Sequence, residues 1–344
     1  MNAKRKFLIA RIDRIGDSVL ATPLPRELKK SFPGCEVSVL VRSYTKDIFL
    51  HNPLVDSVLV WDDFSKGISK VRSLAEFLKP HSFTDGFMLL PNETLAYSFF
   101  LAGIKRRYGT SRKLYHLLTN TISLDRKKYA EERSEADYCL DFVRLAGGEV
   151  TDFSTKIYLS EKEQFSAVEI RKELTPNGEK LIGVHITSGG SAPNMPAEEY
   201  LRLINLLSSN SQIKVVVTDN QLPPDVAIPI GIPQINEGIS LREAIVNFSV
   251  LDLLISSSTG TMHIAAALGV DTLSLFCPLP ACKPSLWGPV GNKAEFILPQ
   301  ENYCSTRCPG DPKKCDFSGD GGIDAERIYS TVFPRSTIQK LHKS

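Results

Sequence analysis

The sequence lacks any apolar run close to the length of about eighteen residues that a helix needs to cross a bilayer. Its amino terminus, MNAKRKFLIAR, begins with positive charge as a signal peptide does, but only four apolar residues follow Lys6 before Arg11. Such a run is too short for the apolar core of a signal peptide. We therefore expect a cytoplasmic protein.

The sequence also lacks a large excess of charge of either sign. Its net charge is +2 over 344 residues, with 42% apolar and 23% charged residues. This balance is typical of a globular protein and gives no overall basic field for nucleic acid. No G-x-G-x-x-G or P-loop pattern occurs, which argues against the common NAD and ATP modules.

The sequence does contain a repeated alternation of short β-branched strands with helical segments. The pattern begins at Lys6 and restarts near residue 180, after a helix or linker at 160–174. Such alternation indicates parallel sheets with crossover helices. We predict an α/β fold of two Rossmann-like domains, 1–165 and 175–330, whose parallel sheets face each other across a cleft. A C-terminal helix at 323–343 is expected to pack back on the first domain.

Two loops in the second half have the composition of anion sites, and ligands of open α/β sheets bind where strands end. The first, SSSTGTMH from Ser256 to His263, begins a helix whose free amide groups attract a phosphate. The alternative is that one hydroxyl caps the helix while His263 packs against the sheet. The second loop, TSGGS from Thr187 to Ser191, has the composition to hold a pyrophosphate or a nucleoside.

The opening stretch RIDRIGDSVLATPLP places Asp17 after a buried strand and at the start of a predicted helix over 17–31. An aspartate at the mouth of a cleft can act as a general base on a hydroxyl group. The alternative is that Asp17 caps the helix, and position alone favours the cap. Asp13 is expected to be an ordinary loop charge.

Basic residues cluster in the first half, at Lys105-Arg106-Arg107, at Arg112-Lys113 and at 126–128. One interpretation is a patch for an acidic acceptor or an anionic lipid surface. The alternative is a solvated surface.

Seven cysteines are present, and their odd number, without an export signal, does not indicate a disulfide framework. Three of them lie close together as Cys304, Cys308 and Cys315. Their thiolates have the chemistry of ligands for zinc or iron, with a structural role favoured over a catalytic one. The candidates for a fourth ligand are Cys277, Cys282, Asp311 and Asp316.

Together these stretches resemble glycosyltransferase family 9, the heptosyltransferases of the lipopolysaccharide core. IARIDRIGDSVLATPLPRELKKSFPGCEVSVLV is similar to the family's opening, and NPLVDSVLVWD to its next element. LLPNETLAYSFFLAGIKRRYG is similar to the segment on the acceptor side, nearer the heptosyltransferase II type. STGTMHIAAALGVDTLSLFCP, followed by WGPVG, is similar to the signature of the nucleotide-binding half.

The resemblance implies a GT-B fold and a metal-independent, inverting transfer from a nucleotide-sugar, with ADP-heptose as the expected donor. Metal-dependent transferases commonly hold a divalent ion on the diphosphate with an Asp-x-Asp pair. The chain has no such pair, which agrees with a metal-independent transfer. Asp17 matches the catalytic aspartate, which makes the base the favoured interpretation. The donor-side positions that follow from it are Thr187, Ser188, Gly189, Ser258, Thr259, Gly260, Thr261 and His263. The expected acceptor-side positions are Gly16, Asn92, Lys105, Arg106 and Arg107.

The expected acceptor is a lipopolysaccharide core or another glycolipid, reached from the cytoplasmic face of the inner membrane. No cofactor is expected for catalysis, apart from the structural zinc or iron at the cysteines.

The chain departs from the family pattern on the donor side. Ser258 stands where the family usually has an aspartate, and Pro193-Asn-Met-Pro196 replaces a basic residue and a tryptophan. A binding protein without catalytic activity, or a nucleotide-sugar epimerase, therefore remain alternative interpretations.

Overall fold

The computed structural model describes residues 4–62, 68–110, 113–125, 132–308, 310–312 and 314–333. The chain divides into two compact units, residues 1–159 and residues 160–344. The division falls near the end of the first predicted domain. Among the described residues, no helix combines the length and the apolar character needed to cross a membrane.

Within the described residues of the first unit, all the strands run parallel in one sheet, in the order β3-β2-β1-β4-β5-β6. The strands are β1 (Lys6–Arg11), β2 (Glu36–Val41), β3 (Ser57–Val60), β4 (Asp85–Met88), β5 (Arg106–Thr110) and β6 (Ile122–Leu124). The central strand β1 is buried from Phe7 to Arg11. This burial explains why it appears in the sequence as an almost continuous apolar run.

Helices connect these strands. They are α1 (Ile15–Leu20), α2 (Pro23–Ser31), α3 (Ile68–Leu78), α4 (Glu93–Leu101), α5 (Leu114–Leu118) and α6 (Glu135–Leu145), with 3-10 turns at Ser43–Ile48 and Lys79–His81. The single helix predicted over 17–31 is wrong, because the chain forms two helices there. Pro23 begins the second helix, where its missing N–H costs no hydrogen bond.

The second unit contains a parallel sheet in the order β11-β10-β9-β7-β8, as far as its described residues go. The strands are β7 (Lys180–His185), β8 (Ile213–Val217), β9 (Leu253–Ser257), β10 (Asp271–Leu275) and β11 (Ala294–Ile297). The α/β fold with parallel sheets predicted from the sequence is therefore confirmed.

The helices of the second unit are α7 (Glu161–Leu174), α8 (Ala197–Ser208), α9 (Leu241–Phe248), α10 (Gly260–Ala267), α11 (Pro284–Trp287), α12 (Tyr303–Thr306) and α13 (Ala325–Val332). Two of them begin with a capping box, Ser160 with Glu163 and Ser240 with Glu243. The first of these boxes shows that 160–174 is a helix and not a linker.

The described part of the predicted C-terminal helix is α13, which is shorter than the predicted range 323–343. It packs against α8 within the second unit, and the backbone N–H of Ala325 donates to Glu199 at 2.9 Å. Residues 334–343 lie outside the described residues. The expected packing of this helix on the first domain therefore stays a prediction.

Candidate active site

Asp17 lies in the first turn of α1, just beyond the carboxyl end of β1. The residue at the N-cap position is Arg14, whose side chain makes no capping hydrogen bond. The interpretation of Asp17 as a helix cap is therefore wrong, because the helix begins two residues before it. Its acidic side chain is still favoured at this end of the helix by the helix dipole.

A buried arginine holds the Asp17 carboxylate. Arg11, the last residue of β1, is 3% exposed, and its Nη2 donates to Oδ1 of Asp17 at 2.5 Å. The same guanidinium lies 2.8 Å from Oδ1 of Asp13 and 3.6 Å from Oε1 of Glu135, which is fully buried at the start of α6. One cation thus serves three carboxylates. The Oδ2 atom of Asp17 has no hydrogen-bond partner among the described residues.

Asp13 is not the ordinary loop charge that the sequence suggests. Its side chain is 17% exposed, and burial raises its pKa to about 6 even though the Arg11 guanidinium opposes the shift. The negative charges of Asp17 and Glu135 add to the rise. Asp13 therefore gains or loses a proton near neutral pH, next to the carboxylate of Asp17.

We expect Asp13→Asn to stabilise the protein at pH 8 and to change little at pH 4. Unfolded Asp13 ionises near 3.8 and folded Asp13 near 6, so the folded state holds the proton more tightly. The wild-type protein loses stability as pH rises through this window, and above pH 6 the ionised Asp13 lowers the free energy of unfolding by at most about 3 kcal/mol. Urea unfolding of both proteins at pH 4, 6 and 8 measures this difference. An equal change at all three pH values would contradict the assignment.

The predicted acceptor residues separate into two groups. Gly16 lies in the first turn of α1, and Asn92 caps α4 through a hydrogen bond from the Leu95 N–H at 2.9 Å, so both follow the carboxyl ends of strands, as Asp17 does. Lys105 and Arg106 lie instead at the amino end of β5. The structure therefore brings Gly16 and Asn92, but not these two basic residues, to the edge that carries Asp17.

The two arginines of the basic cluster are engaged in structural contacts. Arg106 binds both oxygens of the buried Asp85, at 2.6 and 2.7 Å. Arg107 is buried, and it donates to the carbonyl oxygens of Thr119, Ile104 and Asn120. The Arg107 guanidinium is thus held by backbone carbonyl groups, whereas the Arg106 side chain is still 46% exposed. A role of either arginine in acceptor binding stays a prediction.

In the second unit, Asp219 fixes the start of the loop at 187–190. This aspartate is fully buried just beyond β8. Its carboxylate accepts the N–H groups of Ile186 and Thr187, at 2.8 and 2.9 Å, and the Thr187 hydroxyl at 2.7 Å. Gly189 and Gly190 then have φ values of 55° and 68°, a backbone that side chains resist. The loop is thus held at its base and turns sharply at its tip.

The hydroxyl-rich loop ends at the N-terminus of α10. Thr259 occupies the N-cap position, but its side chain does not bond to a helix amide and lies instead 2.8 Å from the Thr261 hydroxyl. The amide groups of the first turn of α10 are therefore not capped by this residue, which favours an anionic ligand there. Ser258 is partly buried between β9 and α10, and His263 is buried in the helix.

A groove of about 520 Å³ lies in segment 220–238, which follows β8 at the same edge of the sheet. Hydrogen bonds within the segment fix its shape, because Asn220 donates to the carbonyl oxygens of Asn236 and Ile239, both at 2.8 Å. Gln234, which lines the groove, donates to the Asp219 carbonyl at 3.0 Å. The groove and the 187–190 loop therefore share Asp219 as a fixed point.

Comparison with known proteins decides the family. The sequence model of glycosyltransferase family 9 (heptosyltransferase) matches residues 99–314, well over half of the chain. The chain belongs to glycosyltransferase family 9. An inferred glycosyltransferase of Haemophilus influenzae is 27% identical over 311 residues, which are 85% of this chain and 88% of that protein. The protein is accordingly a glycosyltransferase.

Solved structures of this family have the same fold. A family 9 glycosyltransferase from Veillonella parvula superposes with a TM-score of 0.78 at 19% identity, over 99% of both chains. The E. coli ADP-heptose lipopolysaccharide heptosyltransferase II gives 0.71 at 17% identity, over 98% of this chain and 99% of that one. E. coli heptosyltransferase WaaC with ADP superposes with a TM-score of 0.69 at 16% identity, over 95% of this chain and 98% of that one. These likenesses confirm the predicted GT-B fold.

The cysteines of this family 9 protein do not form the predicted metal site in the part of the chain that the structure describes. Cys304, Cys308 and Cys315 are free thiols there, and no three metal-ligating side chains come together among the described residues. Burial, and then the neighbouring Cys308 and Cys277, raise the pKa of the thiols of Cys304 and Cys315. The structure therefore does not support a zinc or iron site at these cysteines.

Sequence reasoning missed Arg11, Asp219 and the hydrogen bond between Cys277 and Cys282. Arg11 and Asp219 end or follow buried strands, so a charged residue at the end of an apolar run was the available signal. Cys282 lies close to Cys277, whose thiol donates a hydrogen bond to it and lowers its pKa to about 7. No spacing rule identifies this last pair.

Proposed function

We propose that the protein transfers a heptose or a related sugar from a nucleotide-sugar, with ADP-heptose as the favoured donor, to a hydroxyl group of a lipopolysaccharide core or another glycolipid. The observation that carries the proposal is Asp17, held by Arg11 at the carboxyl edge of the first sheet in a family 9 chain. The solved E. coli relatives are an ADP-heptose transferase and a heptosyltransferase with bound ADP.

In the proposed reaction, Asp17 accepts the proton of the acceptor hydroxyl through its Oδ2 atom while Arg11 holds Oδ1. The acceptor oxygen forms a bond to the anomeric carbon, and the bond from that carbon to the diphosphate oxygen breaks. The electron pair leaves with the diphosphate. Attack opposite to the leaving group inverts the anomeric configuration.

The second unit supplies the groups for the diphosphate. The amides at the start of α10 and the loop at 187–190 can stabilise the charge that develops on the leaving group. They would replace the metal ion that an Asp-x-Asp pair holds on the diphosphate in other transferases. The groove at 220–238 has a volume within the range of small-molecule sites and suits the nucleoside.

Calorimetric titration with ADP, UDP and GDP, and with ADP-heptose, tests the donor side. We expect ADP to bind, and we expect Asp219→Asn to weaken its binding by about tenfold, because an NH2 group then replaces one of the two carboxylate oxygens that accept the N–H groups of Ile186 and Thr187. Asp252→Asn is the control, since Asp252 accepts the Leu181 N–H at 2.7 Å at the opposite edge of the same sheet. Equal weakening in both variants would contradict the positioning role of Asp219.

The serine at position 258 keeps a second function in consideration, that of a binding protein without transferase activity. Such a protein would bind nucleotide-sugars but release no ADP when an acceptor is present. Measuring ADP release with and without a lipopolysaccharide-core acceptor separates the two functions. Release without any acceptor would indicate hydrolysis or an epimerase-like activity.

A further inference from the structure

Helix α5 of the first unit presents leucines to solvent. Leu114, Leu117 and Leu118 are 75%, 79% and 60% exposed, and their spacing puts them on one face of the helix. The opposite face holds the buried His116, whose Nδ1 lies 3.2 Å from the Ser123 hydroxyl. The helix is therefore fixed to the sheet by its polar residue, and its apolar face is left in water.

Neighbouring elements extend this apolar surface. Phe100 and Leu101 at the end of α4, and Ile122 at the start of β6, are each more than 40% exposed. Arg107 joins them to α5, because its guanidinium lies 5.2 Å from the centre of the Phe100 ring and donates to the Thr119 carbonyl at 2.7 Å. We call the six exposed residues the apolar patch: Phe100, Leu101, Leu114, Leu117, Leu118 and Ile122.

The apolar patch concentrates an unusual share of the exposed apolar side chains. Among the described residues, fourteen large apolar side chains are exposed, and six of them belong to the patch. Scattered exposed apolar residues are normal, whereas a contiguous group marks a surface that binds something. Its four leucines are also the most exposed leucines among the described residues.

The charge around the apolar patch is positive. Lys113 stands at the N-cap of α5, and Lys105 directly precedes β5, two residues before Arg107; both lysines are exposed. In the sequence, residues 105–128 contain eight lysines and arginines and one acidic residue, although the whole chain has a net charge of only +2. Arg112 and 126–128 contribute to this count from the sequence alone.

We propose that the apolar patch and its flanking lysines dock the protein onto the surface of an anionic phospholipid bilayer. Exposed leucines enter the acyl boundary of a bilayer, while lysines beside them stay with the anionic headgroups. This combination fits a lipid surface better than a second copy of the chain, because the basic segment would repel its own copy. The inference does not rest on the proposed reaction.

Sedimentation of the full chain with vesicles tests this docking. We expect binding to phosphatidylglycerol vesicles that weakens with salt, and little binding to phosphatidylcholine vesicles. Leu114→Gln combined with Leu117→Gln should weaken binding by about tenfold or more, since both side chains leave the acyl boundary. Lys105→Gln combined with Lys113→Gln should weaken it by about fivefold per lysine.

The matched control is Phe165→Gln with Val168→Gln, which removes two exposed apolar side chains from α7 of the second unit. Unchanged vesicle binding by this control supports the inference. Equal weakening in control and patch variants, or equal binding to both kinds of vesicle, would overturn it. So would a wild-type dimer that the leucine variant converts to a monomer, because a second copy would then occupy the patch.

Circular dichroism and nucleotide titration of each variant check that the fold is intact. Loss of vesicle binding with unchanged ADP binding assigns the effect to the apolar patch. A wild-type protein that does not bind vesicles but transfers sugar would overturn the docking inference and leave the proposed function standing.

Discussion

Asp17→Asn is expected to lower the turnover number by about 10²- to 10⁴-fold, with nucleotide binding nearly unchanged. Asparagine matches the size of aspartate and keeps an oxygen towards Arg11, which lies 2.5 Å from Oδ1 of Asp17. It cannot accept the proton of an acceptor hydroxyl. Initial rates of ADP release at saturating donor and acceptor, together with calorimetry of ADP, measure the two effects separately.

The control for this variant is Asp56→Asn. Asp56 belongs to the same unit and accepts a lysine ammonium at 2.6 Å, but it precedes β3 and so lies at the amino edge of the sheet. Its turnover should stay near that of the wild type. If the turnover number of Asp17→Asn fell no further than that of Asp56→Asn, Asp17 would not be the general base.

Arg11→Met should lower the free energy of unfolding by about 3–5 kcal/mol, the typical effect of leaving buried charges without their ion partner. Arg11 is 3% exposed and Glu135 fully buried, so the carboxylate loses a compensating cation that water cannot replace. Methionine fills similar space, which limits the contribution of a cavity. Urea unfolding at pH 7 gives the free energy directly.

Two further variants separate this effect from a loss of packing. Adding Glu135→Gln to Arg11→Met should restore part of the stability, because the buried negative charge is then gone. Arg144→Met should cost less than about 1 kcal/mol, since Arg144 is 41% exposed and its partners Asp137 and Asp141 keep their ion pairs with Arg133. If Arg11→Met lowered the free energy of unfolding as little as Arg144→Met does, Arg11 would not be needed to compensate the buried carboxylates.

The sequence allowed prediction of those features that depend on local pattern. The alternation of strands and helices predicted the two parallel sheets. The loops after β7 and β9 were located because a loop that follows a parallel strand must lie at the carboxyl edge. These features need only residues that are close together along the chain.

The failures involve contacts between residues far apart in the sequence. The two arginines at the start of β5 suggest a basic surface cluster, but Arg106 pairs with Asp85, a residue 21 positions earlier. The pKa of Asp13 is raised mainly by burial within the fold, with a smaller contribution from Glu135, over a hundred residues away. Neither partner can be identified without knowing which strands and helices are adjacent.

The arrangement around Arg11 also limits how the sequence can drift. Because one guanidinium serves Asp13, Asp17 and Glu135, the effect of replacing any one carboxylate depends on which of the others is present. A lysine at position 11 would offer a single ammonium group where a planar guanidinium now bridges several partners. Neutral changes at these four positions are therefore expected to arrive in combinations, so that the base at position 17 and its distant support evolve as one unit.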